Sequence, residues 1–121
     1  MANPFVHVEL NTTDVDKAKK FYGQLFDWKL EDVEMGAGGR YTMVQPGQGT
    51  GGGIMKQMMP GAPSSWLAYV EVADVPASTR KAKSLGAQVM VDNKEIEGAG
   101  WMSIIVDPTG AMLGLRKAKK A

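Results

Sequence analysis

Residues 5–26, FVHVELNTTDVDKAKKFYGQLF, change period partway along. Val6, Val8 and Leu10 alternate with Phe5, His7 and Glu9, the pattern of a strand whose two faces meet different surroundings. From Val15 onward the apolar residues Val15, Ala18, Phe21, Tyr22 and Leu25 fall at helical spacing. Thr13 or Asp14 can accept the free amide hydrogens of the first turn. This helix is expected to end near Phe26. The same order returns at residues 66–86, WLAYVEVADVPASTRKAKSLG. A shift of 60 positions puts His7 on Leu67, Asp14 on Asp74, Val15 on Val75 and Leu25 on Leu85 with no gap. Matching helix starts and core positions in one register read as an internal duplication.

Working outward, Trp28–Val33 returns to strand character, Met35–Gly39 reads as a turn, and Arg40–Val44 as a strand. Pro46 and Gly47 disfavour continued pairing, and a fourth strand is expected over Gly52–Met58. Three glycines at Gly51–Gly53 mark a bend, a bulge or a close backbone approach. Met59–Ser65, MPGAPSS, has little to bury and is the linker between module one (about 4–58) and module two (about 66–117). In module two, Trp66–Val72 is a strand and Val75–Leu85 a helix begun near Asp74, with Pro76 tolerated in its first turn and Gly86 as a left-handed cap. Gln88–Asp92 and Gly100–Val106 read as strands, Asp107–Gly110 (DPTG) as a tight turn and Ala111–Arg116 as the last strand.

At 121 residues and 44% hydrophobic, the chain suits one domain. Fourteen Lys and Arg against thirteen Asp and Glu give a net charge of +1, spread too evenly for a nucleic-acid footprint. Lys117, Lys119 and Lys120 read as a solvated tail. With no cysteine, disulfides, thiolate metal sites and Cys nucleophiles are excluded. Met1–His7 has no basic-then-apolar signal, and no run approaches the ~20 apolar residues that span a bilayer. The expectation is a cytoplasmic protein with no nucleic-acid or membrane partner. Gly51–Gly53 leads into a strand without Lys-Ser or Lys-Thr, so it is not a phosphate loop. No Gly-x-Ser-x-Gly elbow is present.

The succession of strand, Asp-Val, helix with Phe21-Tyr22 near its end, then strand, Asp-Val, helix, Leu85-Gly86 and DPTG before the final strand resembles the vicinal oxygen chelate superfamily, the glyoxalase, bleomycin-resistance and extradiol-dioxygenase relatives. The resemblance covers almost the whole chain. It implies an α+β fold of two βαβββ modules forming an open curled-sheet barrel with helices outside, a small-molecule site in the concavity, and a homodimer. It also implies a divalent metal held by one residue on the first and one on the last strand of each module, acting as a Lewis acid. Carried onto this chain, those positions fall on His7, on Leu67, near Gly53 or Ile54, and near Gly114. Only His7 is a ligand type. Glu9 on the same strand face and Glu71, on the face of Leu67 and Tyr69, would complete an irregular set toward the three ligands that a catalytic site needs.

The expected site therefore comprises His7 and Glu9 as the catalytic pair, with Tyr69, Glu71 and Trp101 as further ligand-binding residues. No resident cofactor is expected. His7 reads equally as a hydrogen-bonded structural residue or as a neutral base or ligand-orienting group. Trp66, Trp101, Tyr41 and Tyr69 read as core or rim aromatics of which one or more line the cup. Met55, Met58 and Met59 read as gap-filling core or an adaptable apolar surface. The leading reading is a small-molecule binding protein with most metal-ligand positions lost. The alternatives are a metal-dependent lyase, isomerase or dioxygenase using His7 and a nearby Glu, and a structural dimer partner.

Overall fold

The computed structural model describes residues 2–34, 40–96 and 100–118. The turn expected at Met35–Gly39, and Lys119 and Lys120, lie outside them. The order is β1 (Phe5–Thr12), α1 (Val15–Leu25), β2 (Lys29–Glu34), β3 (Arg40–Gln45), β4 (Gly52–Lys56), β5 (Ser65–Glu71), α2 (Val75–Ser84), β6 (Gln88–Ile96), β7 (Gly100–Val106) and β8 (Met112–Ala118). This is an α+β fold of two βαβββ modules. The described residues fall into two units, 7–67 and 2–6 with 68–118.

In the 7–67 unit the strands lie in the order β2, β3, β4, β1, antiparallel except for the parallel β4–β1 pair. One sheet face carries Leu10, Val44 and Ile54, the last fully buried, against Val15, Ala18 and Tyr22 of α1 and against Trp28 and Leu30. Asp14 is the N-cap, its carboxylate accepting from Lys17 N at 3.0 Å. Phe21 and Leu25, expected in the helical core, are exposed, because Val15, Ala18 and Tyr22 carry the packed stripe. Tyr22 meets Trp28 at 5.7 Å and Trp66 at 5.5 Å between ring centroids, and the two indoles lie 6.3 Å apart. Lys19 of α1 reaches both oxygens of Asp32 on β2 at 2.9 Å. The hydroxyl of buried Thr42, and then Lys19, hold the Asp32 carboxyl below its usual range. β4 stops at Lys56, two residues short of the expected strand, which leaves Met58 and Met59 exposed and outside the core.

The second unit repeats the plan as β5, β8, β7, β6, with β5 and β8 parallel and the other pairs antiparallel. Val72, Val75, Ile105 and Leu115 form its core, with Ala82, Ala87, Val89, Trp101 and Leu113 around them. Asp74 caps α2 through Ala77 N at 2.9 Å, Pro76 stands in the first turn, and Gly86 adopts φ +104 beyond the helix end. β6 runs four residues past the expected Asp92, because a register shift between Val91 and Lys94 lets pairing resume. There Asn93 takes φ +44, and its N–H donates to Ser103 at 2.8 Å. The buried hydroxyls of Ser103 and Thr79 are hydrogen-bonded at 2.7 Å. Among the described residues no helix is long and apolar enough to cross a membrane.

The DPTG turn is held by one carboxylate. Asp107 Oδ1 accepts from Thr109 Oγ1 at 2.6 Å, Thr109 N at 2.8 Å and Ala111 N at 3.1 Å. The Thr109 hydroxyl first, then the Ala111 and Thr109 amides, lower the Asp107 carboxyl from its usual 3.8. A group depressed on folding stabilises above its unfolded pKa and loses that contribution as pH falls through the folded value. Asp107→Asn keeps an acceptor but loses the charge. Its Tm is therefore expected below wild type at neutral pH, with the gap closing as pH falls below 3.8. Thermal melts across that range check it.

Candidate functional site

Successive side chains of a strand alternate between faces, so the face of the 7–67 sheet opposite α1 receives His7, Glu9 and Asn11 from β1. The pairing Glu9↔Gly53 and Gly53↔Met43 adds Gly53, Met55 and, beyond the strand end, Gln57, together with Tyr41 and Met43 of β3. β4 lies between β3 and β1, and at its middle Gly53 has no side chain. Tyr41 uses that gap. A Cβ placed on Gly53 would overlap the Tyr41 hydroxyl and ring. The phenol crosses β4 over Gly53 to β1, where its O–H donates to Glu9 Oε2 at 2.9 Å and its oxygen lies 2.7 Å from His7 Nε2. Because the phenol hydrogen goes to Glu9, the His7–Tyr41 bond requires the hydrogen on Nε2. All three side chains are buried, His7 at 7%, Glu9 at 6% and Tyr41 at 9% exposure.

Two further polar groups belong to the β1–β4 strand pair and the residue that follows it. Asn11 Oδ1 and Gln57 Oε1 are buried acceptors without a hydrogen-bond partner among the described residues. Asn11 continues the His7, Glu9 row, and Gln57 follows β4, its N–H bonded to Thr12 O at 3.0 Å. A buried acceptor left unmade costs about 1–3 kcal/mol, so such groups mark a place where a donor belongs.

In the 2–6 and 68–118 unit, Tyr69 is 3% exposed and lies over its register partner Gly114, where a Cβ would overlap the ring. Glu71 is half-buried opposite Arg116 in the same strand pair, and its backbone binds Pro4 O and the Asn3 amide at 2.9 Å. Trp101 stands on the other face, packed on the Val75, Ile105 and Leu115 core beneath α2. It lines a shallow cleft of about 200 Å3 with Asp74, Pro76, Asn93 and Lys117. The structure therefore joins His7 and Glu9, and it separates Trp101 from Tyr69 and Glu71 by a sheet. Tyr41, absent from the expected site, is the residue that joins the pair. Its signal in sequence was a tyrosine two residues from a strand position that pairs with an interior glycine.

The donor set does not suit a divalent metal. Gly53 and Gly114, at the last-strand positions, have no ligating atom, and Leu67, at the position matching His7, is a buried hydrocarbon. His7 and Glu9 are bound to Tyr41. Among the described residues no group of three His, Cys, Asp or Glu could hold a metal ion.

Residues 5–115 match the profile of the Glyoxalase/Bleomycin resistance protein/Dioxygenase superfamily. CFP32 of Mycobacterium tuberculosis, provisionally named a glyoxylase, is 42% identical over 118 residues, covering 93% of this chain and 45% of its own. DnrV of Streptomyces peucetius, an anthracycline biosynthesis protein, is 27% identical over 117 residues, covering 85% of this chain and 42% of its own. The chain thus spans less than half the length of these curated relatives. A Streptomyces coelicolor methylmalonyl-CoA epimerase in complex with 2-nitronate-propionyl-CoA superposes with a TM-score of 0.72 at 14% identity, covering 99% of this chain and 100% of that one. The repeated βαβββ order, the strand pairing within each unit and the profile match agree, and the chain belongs to the glyoxalase/bleomycin resistance protein/dioxygenase superfamily.

Proposed function

We propose that this domain is a small-molecule binding protein of the superfamily whose metal-ligand positions have largely been lost. It holds an organic ligand through the face carrying His7, Glu9, Asn11 and Gln57. One observation carries the reading: beside the His7–Tyr41–Glu9 hydrogen bonds, Asn11 Oδ1 and Gln57 Oε1 are buried acceptors with no hydrogen-bond partner among the described residues. Buried acceptors select a ligand that presents N–H or O–H donors, because desolvating them without one is unfavourable. Met43 and Met55 supply deformable apolar contact on the same face. In the other unit, Tyr69 and Glu71 on one sheet face, and separately Trp101 in its own cleft, are proposed as ligand-contacting residues. A homodimer in the cytoplasm is the proposed working form.

The second reading, a metal-dependent lyase, isomerase or dioxygenase using His7 and a nearby Glu, draws support from the 42% identity to a protein provisionally named a glyoxylase. Metal analysis separates the two. The purified protein, offered Zn2+, Ni2+, Mn2+ and Fe2+ in turn, is expected to retain no stoichiometric metal. A cognate organic ligand at about 100 times its Kd should add about 2.7 kcal/mol of stability whether or not EDTA is present. One equivalent of metal that disappears in His7→Ala would establish the enzyme reading instead.

A further inference from the structure

We propose that the cleft between the start of α2 and the β7–β8 strand pair is a ligand site in its own right, and that it takes a small aromatic zwitterion, a flat ring carrying both a carboxylate and an ammonium group. The inference rests on the reading of the domain as a small-molecule binding protein and names what the Trp101 cleft selects. The cleft is lined by Asp74 and Pro76 at the start of α2, Asn93 of β6, Trp101 of β7 and Lys117 of β8. Trp101 and Lys117 are register partners in an antiparallel pair, so their side chains leave the sheet side by side on one face. The half-buried indole is braced from behind by Val75, Ile105 and Leu115. Asn93 is the one described non-glycine residue with positive φ, at +44. Its N–H donates to Ser103 Oγ at 2.8 Å, and Ser103 is bonded in turn to Thr79 of α2 at 2.7 Å, both hydroxyls being buried. That network ties the irregular turn of β6 to the helix, a local cost that persists where its surroundings over-determine it.

Each polar side chain at the cleft has capacity left over. Asp74 Oδ1 accepts from Ala77 N at 2.9 Å, and its Oδ2 bonds to no described residue. Lys117 makes no hydrogen bond or ion pair among the described residues, nor does the Asn93 side-chain amide. Opposite charges therefore line one small cleft without meeting each other. The start of α2 adds no anion site of its own, since Pro76 has no N–H and Ala77 N is bound to Asp74. The lining then specifies the ligand. Trp101 offers a plane on which a ring stacks, Lys117 attracts a carboxylate, and the spare Asp74 oxygen accepts from an ammonium. A ligand with one charge meets a like charge across the cleft, Asp74 opposing an anion and Lys117 a cation. At about 200 Å3 the cleft is smaller than a drug-sized pocket of roughly 300–1,000 Å3, which restricts it to a ligand with a single ring.

The test is titration of the whole chain with L-phenylalanine and with para-(aminomethyl)benzoate, two zwitterions whose charges lie at different separations, followed by amide and indole N–H shifts in heteronuclear spectra. At least one is expected to bind and to shift Trp101 and Asn93. Benzoate and benzylamine, with one charge each, should bind at least about 10-fold more weakly, the worth of one charge-assisted hydrogen bond. Lys117→Met keeps the aliphatic stem and should weaken the zwitterion about 10-fold while leaving benzylamine no weaker. Asp74→Asn still caps α2 and should weaken the zwitterion about 10-fold while leaving benzoate no weaker. Asn93→Gly keeps the left-handed backbone and should cost about 3-fold, one neutral hydrogen bond. Binding of neither zwitterion at millimolar concentration, or affinity for benzoate or benzylamine equal to that for the zwitterions, overturns the proposal. So does binding that survives Lys117→Met and shifts β1 and β4 instead, an outcome that leaves the binding-protein reading standing. A stoichiometric, His7-dependent metal overturns that reading and not the selectivity of this cleft.

Discussion

Gly52→Ala is expected to destabilise residues 7–67 severely and to lower their urea midpoint far below that of wild type. Gly52 is the register partner of Val8 in the parallel β1–β4 pair, and a Cβ there would overlap the Val8 carbonyl oxygen and crowd its carbon at 3.2 Å. The obstacle is backbone on both sides. No rotamer relieves it, and the two strands must part along a register that runs from Val8↔Gly52 to Thr12↔Lys56. Overpacking a well-packed interior costs about 1–3 kcal/mol even where side chains can yield. Displaced backbone puts this substitution at about 3 kcal/mol or more, a large part of the roughly 5–15 kcal/mol that stabilises a domain. Gly51→Ala is the control, since its nearest contact would be the Val44 carbonyl at 3.3 Å, which a small adjustment relieves. Urea denaturation followed by circular dichroism distinguishes them. A Gly52→Ala midpoint within error of that of Gly51→Ala would contradict the close approach.

Ile54→Ala should be the most damaging truncation in the same unit. Ile54 is fully buried between Leu10, Val44 and the Tyr22 face of α1. Removing its branched side chain loses the transfer free energy and leaves a cavity that the sheet is too rigid to close, about 2–5 kcal/mol. Ile54→Val should cost only about 0.5–1.5 kcal/mol. Met59→Ala, at a side chain 41% exposed, should stay within about 0.5 kcal/mol. Denaturant midpoints at constant m-value give this ranking directly, and equal costs for Ile54→Ala and Met59→Ala would refute the assigned core.

The modular architecture was legible because its signals are local. The alternation at Val6, Val8 and Leu10, the Asp caps at Asp14 and Asp74, the turn at Asp107 and the left-handed Gly86 each leave a mark within a few residues. The alternation predicts β7 at Gly100–Val106, as found, but carries β6 only to Asp92, because pairing that resumes after a register shift leaves no period-2 trace through Asn93. The pairing of His7 with Glu9 followed from their spacing on one strand. Tyr41 did not follow, since its contact crosses an intervening strand and depends on an absent side chain at Gly53. Residue type alone groups Trp101 with Tyr69, and only the strand register shows that they stand on opposite faces. The run Gly51–Gly53 is compatible in sequence with a bend, a bulge or a close approach. Close approach is what Gly52 and Gly53 show, one against backbone and the other under a ring.

The placement of the three indoles makes the protein its own optical reporter. Trp28 and Trp66 share an aromatic cluster with Tyr22 in the 7–67 unit, and Trp101 packs in the core of the other. Emission from Trp101→Phe would follow the 7–67 unit alone. A variant with phenylalanine at both 28 and 66 would follow its counterpart. Comparing the two unfolding curves shows whether the duplicated halves melt as one cooperative body or in sequence, without any attached label.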